Sequence, residues 1–75
     1  MFMSKEELNY IKGLYPVGSK IKIISMGEDI NPIESGTVGV IKAIDDIGTL
    51  HCEFENGRSL GVIVGEDRFE IIDKE

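Results

Sequence analysis

The stretch Thr37-Val38-Gly39-Val40-Ile41-Lys42-Ala43-Ile44-Asp45-Asp46-Ile47-Gly48-Thr49-Leu50-His51-Cys52-Glu53-Phe54-Glu55-Asn56-Gly57-Arg58-Ser59-Leu60-Gly61-Val62-Ile63-Val64 decides the fold. Three runs rich in β-branched and aromatic residues alternate there with two turn signals, Asp45-Asp46-Ile47-Gly48 and Glu55-Asn56-Gly57. The pattern predicts strands over 37–44, 49–54 and about 58–64, joined as two hairpins. If Ile44 pairs with Thr49 across a four-residue turn, Ala43 faces Leu50, Ile41 faces Cys52 and Gly39 faces Phe54. The last pairing lays an aromatic ring over a glycine, which compensates for the missing side chain. In the second hairpin a two-residue Asn56-Gly57 loop would leave Leu60 and Val62 outside. A three-residue loop, with Gly57 left-handed in a bulge, pairs Cys52 with Leu60 and Leu50 with Val62 instead. One residue of register flips every side chain, and only the bulged form gathers the apolar ones.

Outward from this segment the same period of two continues. Ser19-Lys20-Ile21-Lys22-Ile23-Ile24 alternates polar residues with isoleucine, and Phe69-Glu70-Ile71-Ile72 closes the sequence after a tight Gly65–Arg68 connection. Gly27 to Gly36 reads as a long loop. Before Gly18 the chemistry is helical: Ser4 and Glu7 form a capping box, and Leu8 and Ile11 share a face. Met3 and Leu8 are spaced for a hydrophobic staple. Gly13 is placed to end the helix, and Pro16 forbids its continuation. The helix is expected over about Lys5 to Lys12. A helix so short is unstable alone and must dock. Val38, Val40 and Ile44 make the other face of the second strand apolar, so that face is where it is expected to lie. The division is residues 1–17 as helix and connector and 18–75 as barrel. The fold class is mainly β, a small five-stranded barrel with one short N-terminal α-helix.

The combination Gly36-Thr37-Val38-Gly39-Val40, Ile44-Asp45-Asp46-Ile47-Gly48, Phe54-Glu55-Asn56-Gly57, Leu60-Gly61 and Gly65-Glu66-Asp67-Arg68-Phe69 resembles a bacterial family catalogued as domain of unknown function 4314. The likeness runs from Tyr15-Pro16-Val17-Gly18-Ser19 to Phe69, about three quarters of the chain. It implies a small stand-alone protein, frequent on phages, plasmids and integrated mobile elements, with no established activity to transfer. Phe54 stands where tryptophan is common in the family, and the packing role should survive. The strand and turn pattern also looks SH3-like. The chain has no tryptophan and lacks the aromatic groove of proline-rich-peptide binders.

Composition narrows the function classes. Seventy-five residues make one domain, with a core worth roughly 3–5 kcal/mol net. A single cysteine rules out an internal disulfide and fits a reducing cytoplasm. One cysteine and one histidine cannot build the usual four-ligand zinc site. No apolar run is long enough for a membrane span, and the first residues lack signal-peptide character. A net charge of −6 disfavours broad binding to nucleic acid or anionic lipid.

Each candidate for chemistry has a plainer alternative. His51 and Cys52 are strand neighbours whose side chains point to opposite faces, so they cannot form a dyad. Cys52 reads as a buried thiol and His51 as a surface residue across from Lys42. Asp45-Asp46 reads as turn chemistry, a carboxylate accepting backbone N–H groups, and Asp67 as the cap of the Gly65–Arg68 connection, with a bridge to Arg68. The glycines match neither GxGxxG nor a P-loop. Lys20, Lys22 and Lys42 share an outward face, either a basic strip for phosphate or a solvated strand face. Ile30, Ile33 and Ile47 either tuck over an open end of the barrel or, flanked by Glu28, Asp29 and Glu34, form a protein-contact patch.

The expectation is therefore a non-catalytic protein-interaction module of a mobile element or phage. Its candidate contact residues are Ile30, Ile33, Ile47, Glu28 and Asp29, and no catalytic, cofactor or metal site is expected. The alternatives are an acidic mimic that blocks a host nucleic-acid-binding protein, and a weak nucleic-acid-binding barrel. The partner is another protein rather than a membrane, with self-association open.

Overall fold

The structure is a computed structural model, and it describes residues 3–27 and 32–73. Helix α1 (Lys5–Leu14) is followed by β1 (Lys20–Ser25), β2 (Val38–Ile44), β3 (Thr49–Phe54), β4 (Ser59–Ile63) and β5 (Arg68–Asp73). All five strands are antiparallel in one sheet of order β4-β3-β2-β1-β5. A meander of four strands thus receives the last one on the free edge of β1. The sheet curls around one core, and no ladder joins β4 to β5 among the described residues, so the expected barrel is rolled without a hydrogen-bonded seam.

The period of two sets what goes inside. Ile21 and Ile23 from β1, Ile41 from β2, Leu50, Cys52 and Phe54 from β3 and Val62 from β4 are buried together. Full burial of one such aliphatic side chain is worth about 1.5–3 kcal/mol, enough for a handful of them to carry a domain of this size. The β3–β4 hairpin has the bulged register, with Cys52 opposite Leu60 and Leu50 opposite Val62. Phe54 donates to the Arg58 carbonyl, and Gly57 takes φ +87°, a conformation that a Cβ disfavours.

In the β2–β3 hairpin, Gly39 faces Phe54 and Ile41 faces Cys52 as expected, but Ala43 faces His51 and Ile44 faces Leu50. The shift lies between Ile41 and Ala43, where Lys42 is bulged out. Its cause is the turn. Asp45 N–H donates to the Thr49 carbonyl while Asp45 Oδ1 accepts from Thr49 N–H at 2.9 Å, so the two strands meet one residue earlier than the four-residue reading allows.

The helix begins as read. Ser4 Oγ accepts from Glu7 N–H and Glu7 Oε1 accepts from Ser4 N–H, both at 3.2 Å. It does not stop at Gly13, which is helical. It ends at Tyr15, whose N–H donates to the Ile11 carbonyl. Tyr15 is held there by the Phe69 ring, with centroids 5.2 Å apart, so a tertiary contact outweighs the glycine as terminator. Nor does the helix cover Val38 and Val40. Ile11, its one buried residue, and Met3 pack over the β2–β3 turn. A Cβ on Gly48 would lie 2.7 Å from Met3 Sδ and 3.2 Å from Ile11 Cδ1. The helix therefore sits where a glycine leaves room, against one end of the curled sheet. Ile44 joins the core from its edge.

Candidate functional site

Two open grooves share Val64 as a wall, and Tyr10 and Ile24, two of the exposed large apolar side chains, line them. α1 places Met3, Tyr10 and Ile11 against Val64, which follows β4, and between them lies an open groove of about 430 Å³ with Glu6 and Glu7 on its rim. A second groove, of about 360 Å³, lies on the other side of Val64 and is walled by Tyr15, Ile24, Phe69 and Arg68. Tyr10 is 68% exposed and Ile24 43%, while Met3, Tyr15, Val64 and Phe69 are half-buried and rest on the core.

Local chemistry places each wall. Tyr10 is one residue off the buried stripe of α1, so docking of Ile11 turns it outward. Ile24 follows the buried Ile23, so the alternation of β1 turns it outward, at a shift in the β1–β5 register where Ile23 pairs with Phe69 and Ser25 with Arg68. Val64 is held by Asp67. The Asp67 carboxylate accepts from Ile63 N–H at 2.9 Å through Oδ2 and from Gly27 N–H at 2.6 Å through Oδ1. One side chain thus caps the β4–β5 connection and fastens it to the start of the long loop, a partner 40 residues away that replaces the expected bridge to Arg68.

Of the five contact residues read from sequence, the structure describes two, and only one of them is exposed. Ile33 is 2% exposed and belongs to the core, because the loop turns it inward beside β1, where Gly36 N–H donates to the Ile23 carbonyl; it is withdrawn from the contact patch. Ile47 is exposed on the β2–β3 turn. Glu28, Asp29 and Ile30 lie outside the described residues. Tyr10, Tyr15, Ile24, Val64 and Phe69 are not among the contact residues read from sequence, although an aromatic adjoining the helix's apolar stripe and a second isoleucine directly after Ile23 are visible signals.

The β2–β3 turn is a self-contained polar cluster. Asp45 Oδ1 accepts from Ile47 N–H at 3.1 Å and from Thr49 N–H at 2.9 Å, and its Oδ2 lies 2.8 Å from His51 Nε2, so His51 faces the turn and Ala43 rather than Lys42. The His51 contact, then the Thr49 N–H, hold the Asp45 carboxyl below its ordinary value of 3.8. A folded-state value below the unfolded one adds stability above the unfolded pKa and loses it as pH falls through the folded pKa. Asp45→Asn is therefore expected to melt below the wild type at pH 6, with the two curves merging well below pH 3.8 in thermal melts followed by circular dichroism.

Cys52 is 2% exposed, with Sγ 3.4 Å from the Leu50 carbonyl, and burial pushes its thiol up to about 12. Only the thiolate is an effective nucleophile. Native protein at pH 8 is expected to resist a disulfide-exchange reagent and to react fully once urea unfolds it, which a colorimetric thiol assay reads directly.

The lysine strip is partly neutralised. Lys22 pairs with Glu70 and Lys42 with Glu53, each at 3.4 Å. Val38 and Val40, left uncovered by the helix, line a third open groove of about 430 Å³ with Phe54 and the charged Lys20, Lys42, Glu53 and Glu55. Among the described residues no three His, Cys, Asp or Glu side chains gather as a metal group, and no helix is long and apolar enough to cross a membrane. Described carboxylates are spread over α1, the turns, β3 and β5.

A family model described as Domain of unknown function (DUF4314) matches residues 4–72. No curated protein and no solved structure matches the chain.

Proposed function

We propose that this chain, which belongs to the DUF4314 family, is a non-catalytic protein-interaction module whose partner seats on the two grooves meeting at Val64. The supporting observation is the exposure of Tyr10 and Ile24 on walls that otherwise rest on the core. Aromatic and aliphatic groups on a supported surface lose little entropy on contact and release ordered water, the composition found at the centre of protein interfaces. Paired lysines and dispersed carboxylates give less support to the nucleic-acid and charge-mimic readings, each of which needs one sign of charge concentrated on a face. The mobile-element setting belongs to the same proposal and rests on the family resemblance; the genes beside the coding sequence test it.

The functional test is affinity capture from the native host with wild type and with Tyr10→Ser/Ile24→Ser, a variant that removes exposed groups and should keep the fold by circular dichroism. Loss of a specific co-purifying protein on the variant supports the reading. Equal recovery of that protein on both rejects this surface.

A further inference from the structure

We infer that the two grooves read charge as well as shape, taking a segment of another protein with an apolar centre, a lysine or arginine at one end and an aspartate or glutamate at the other. The inference rests on the proposed interaction role and specifies its ligand.

Three observations carry it. The grooves share Val64 as a common wall, so one segment can occupy both. Glu6 and Glu7 rim only the groove beside α1, whereas the other is lined by Arg68 and by Asp67, whose two carboxylate oxygens already accept from Gly27 and Ile63 N–H. These charges differ in how far they are already committed. Glu7 Oε1 is engaged by Ser4, whereas Glu6 and Arg68 have no hydrogen-bond or ion-pair partner among the described residues. Of the strand lysines, Lys22 is matched by Glu70 and Lys42 by Glu53; Lys5, Lys12 and Lys20, which line neither groove, have no such partner among the described residues. The surface thus presents an apolar ridge with the uncommitted Glu6 carboxylate on one side and, on the other, the uncommitted Arg68 guanidinium beside an Asp67 carboxylate already turned to backbone N–H groups. Rim charges contribute modestly to affinity but set orientation and exclude wrong partners, because a like charge there is left facing its own kind. A bound segment therefore has a fixed direction, its basic end over Glu6 and its acidic end over Arg68.

The test is selection of a random twelve-residue peptide library on immobilised full-length protein, followed by affinity measurement of the enriched peptides on wild type, Glu6→Lys, Glu6→Gln, Arg68→Glu and Tyr10→Ser. Enriched peptides should carry apolar or aromatic residues flanked by opposite charges. Each reversal should weaken them by about threefold to tenfold, the scale of exposed ion pairs plus the added repulsion, and Glu6→Gln by less. Selection on Glu6→Lys should return peptides with the basic end replaced by an acidic one. Binding lost on Tyr10→Ser but unmoved by either reversal overturns the charge inference and leaves the interaction reading standing. Binding indifferent to Tyr10→Ser, or no enrichment at all, overturns both. A dimer on a sizing column that Tyr10→Ser disperses would place a second copy on the grooves and also overturn the inference.

Discussion

Phe54→Ala is expected to leave the chain without a cooperative unfolding transition at 25 °C. The ring is 5% exposed, closes the core at the end of β3, and covers Gly39 on the neighbouring strand. Truncating a buried phenylalanine costs about 3–5 kcal/mol, transfer and cavity together. A domain of this length has a net stability of about the same size, so a loss that a larger protein would tolerate removes the native state here. Urea titration followed by circular dichroism gives the result: a sloping baseline with no midpoint. A variant that kept a sharp transition with a midpoint close to the wild type's would show that the core does not depend on this ring.

Gly39→Val attacks the same contact from the other side and should be nearly as damaging. A Cβ at Gly39 would lie 2.5 Å from Phe54 Cδ1, 2.8 Å from Cε1 and 3.1 Å from the Glu53 carbonyl oxygen. The ring cannot swing aside as a flexible chain end would, and the carbonyl belongs to the paired strand. Overpacking of this kind typically costs about 1–3 kcal/mol and more where the backbone must move; valine's branching adds to it. Gly39→Val and Phe54→Ala share one contact, so their costs should not add. Combined with the milder Phe54→Leu, which should leave a transition to measure, Gly39→Val should cost less than it does alone, read from urea midpoints. Additive losses would mean that the two residues act through separate neighbours.

Much of this architecture could be read from the residues. Alternation over 37–64 identified Ile41, Leu50, Cys52, Phe54 and Val62 as one inward face, and the need to keep Leu60 with them selected the Gly57 bulge. Such choices depend on neighbours a few positions away. What escaped depends on distant ones. The bulge at Lys42 follows from a carboxylate that reaches the backbone of Thr49, and alternation contains no term for that bond. The seat of α1 is set by the space above Gly48, and the base of the long loop by Asp67 reaching Gly27. The surface proposed for contact is less legible still. Loop isoleucines drew attention because loops are usually polar, yet Ile33 fills the core. Tyr10 and Ile24 lie in regular elements and face outward, and only the docking of α1 and the course of the β4–β5 connection set grooves beside them.

The order in which the strands are made on the ribosome bears on their placement. β1 is the first strand to emerge and β5 the last, yet they lie side by side. Until residues 68–73 have been made, one side of β1, with Ile21 and Ile23, has no strand to pair with. A nascent chain paused before that point exposes an apolar edge, the kind of surface on which strands of neighbouring chains add. Slow translation of the codons for residues 68–73 should therefore increase insoluble product, whereas a pause between α1 and β1 should not.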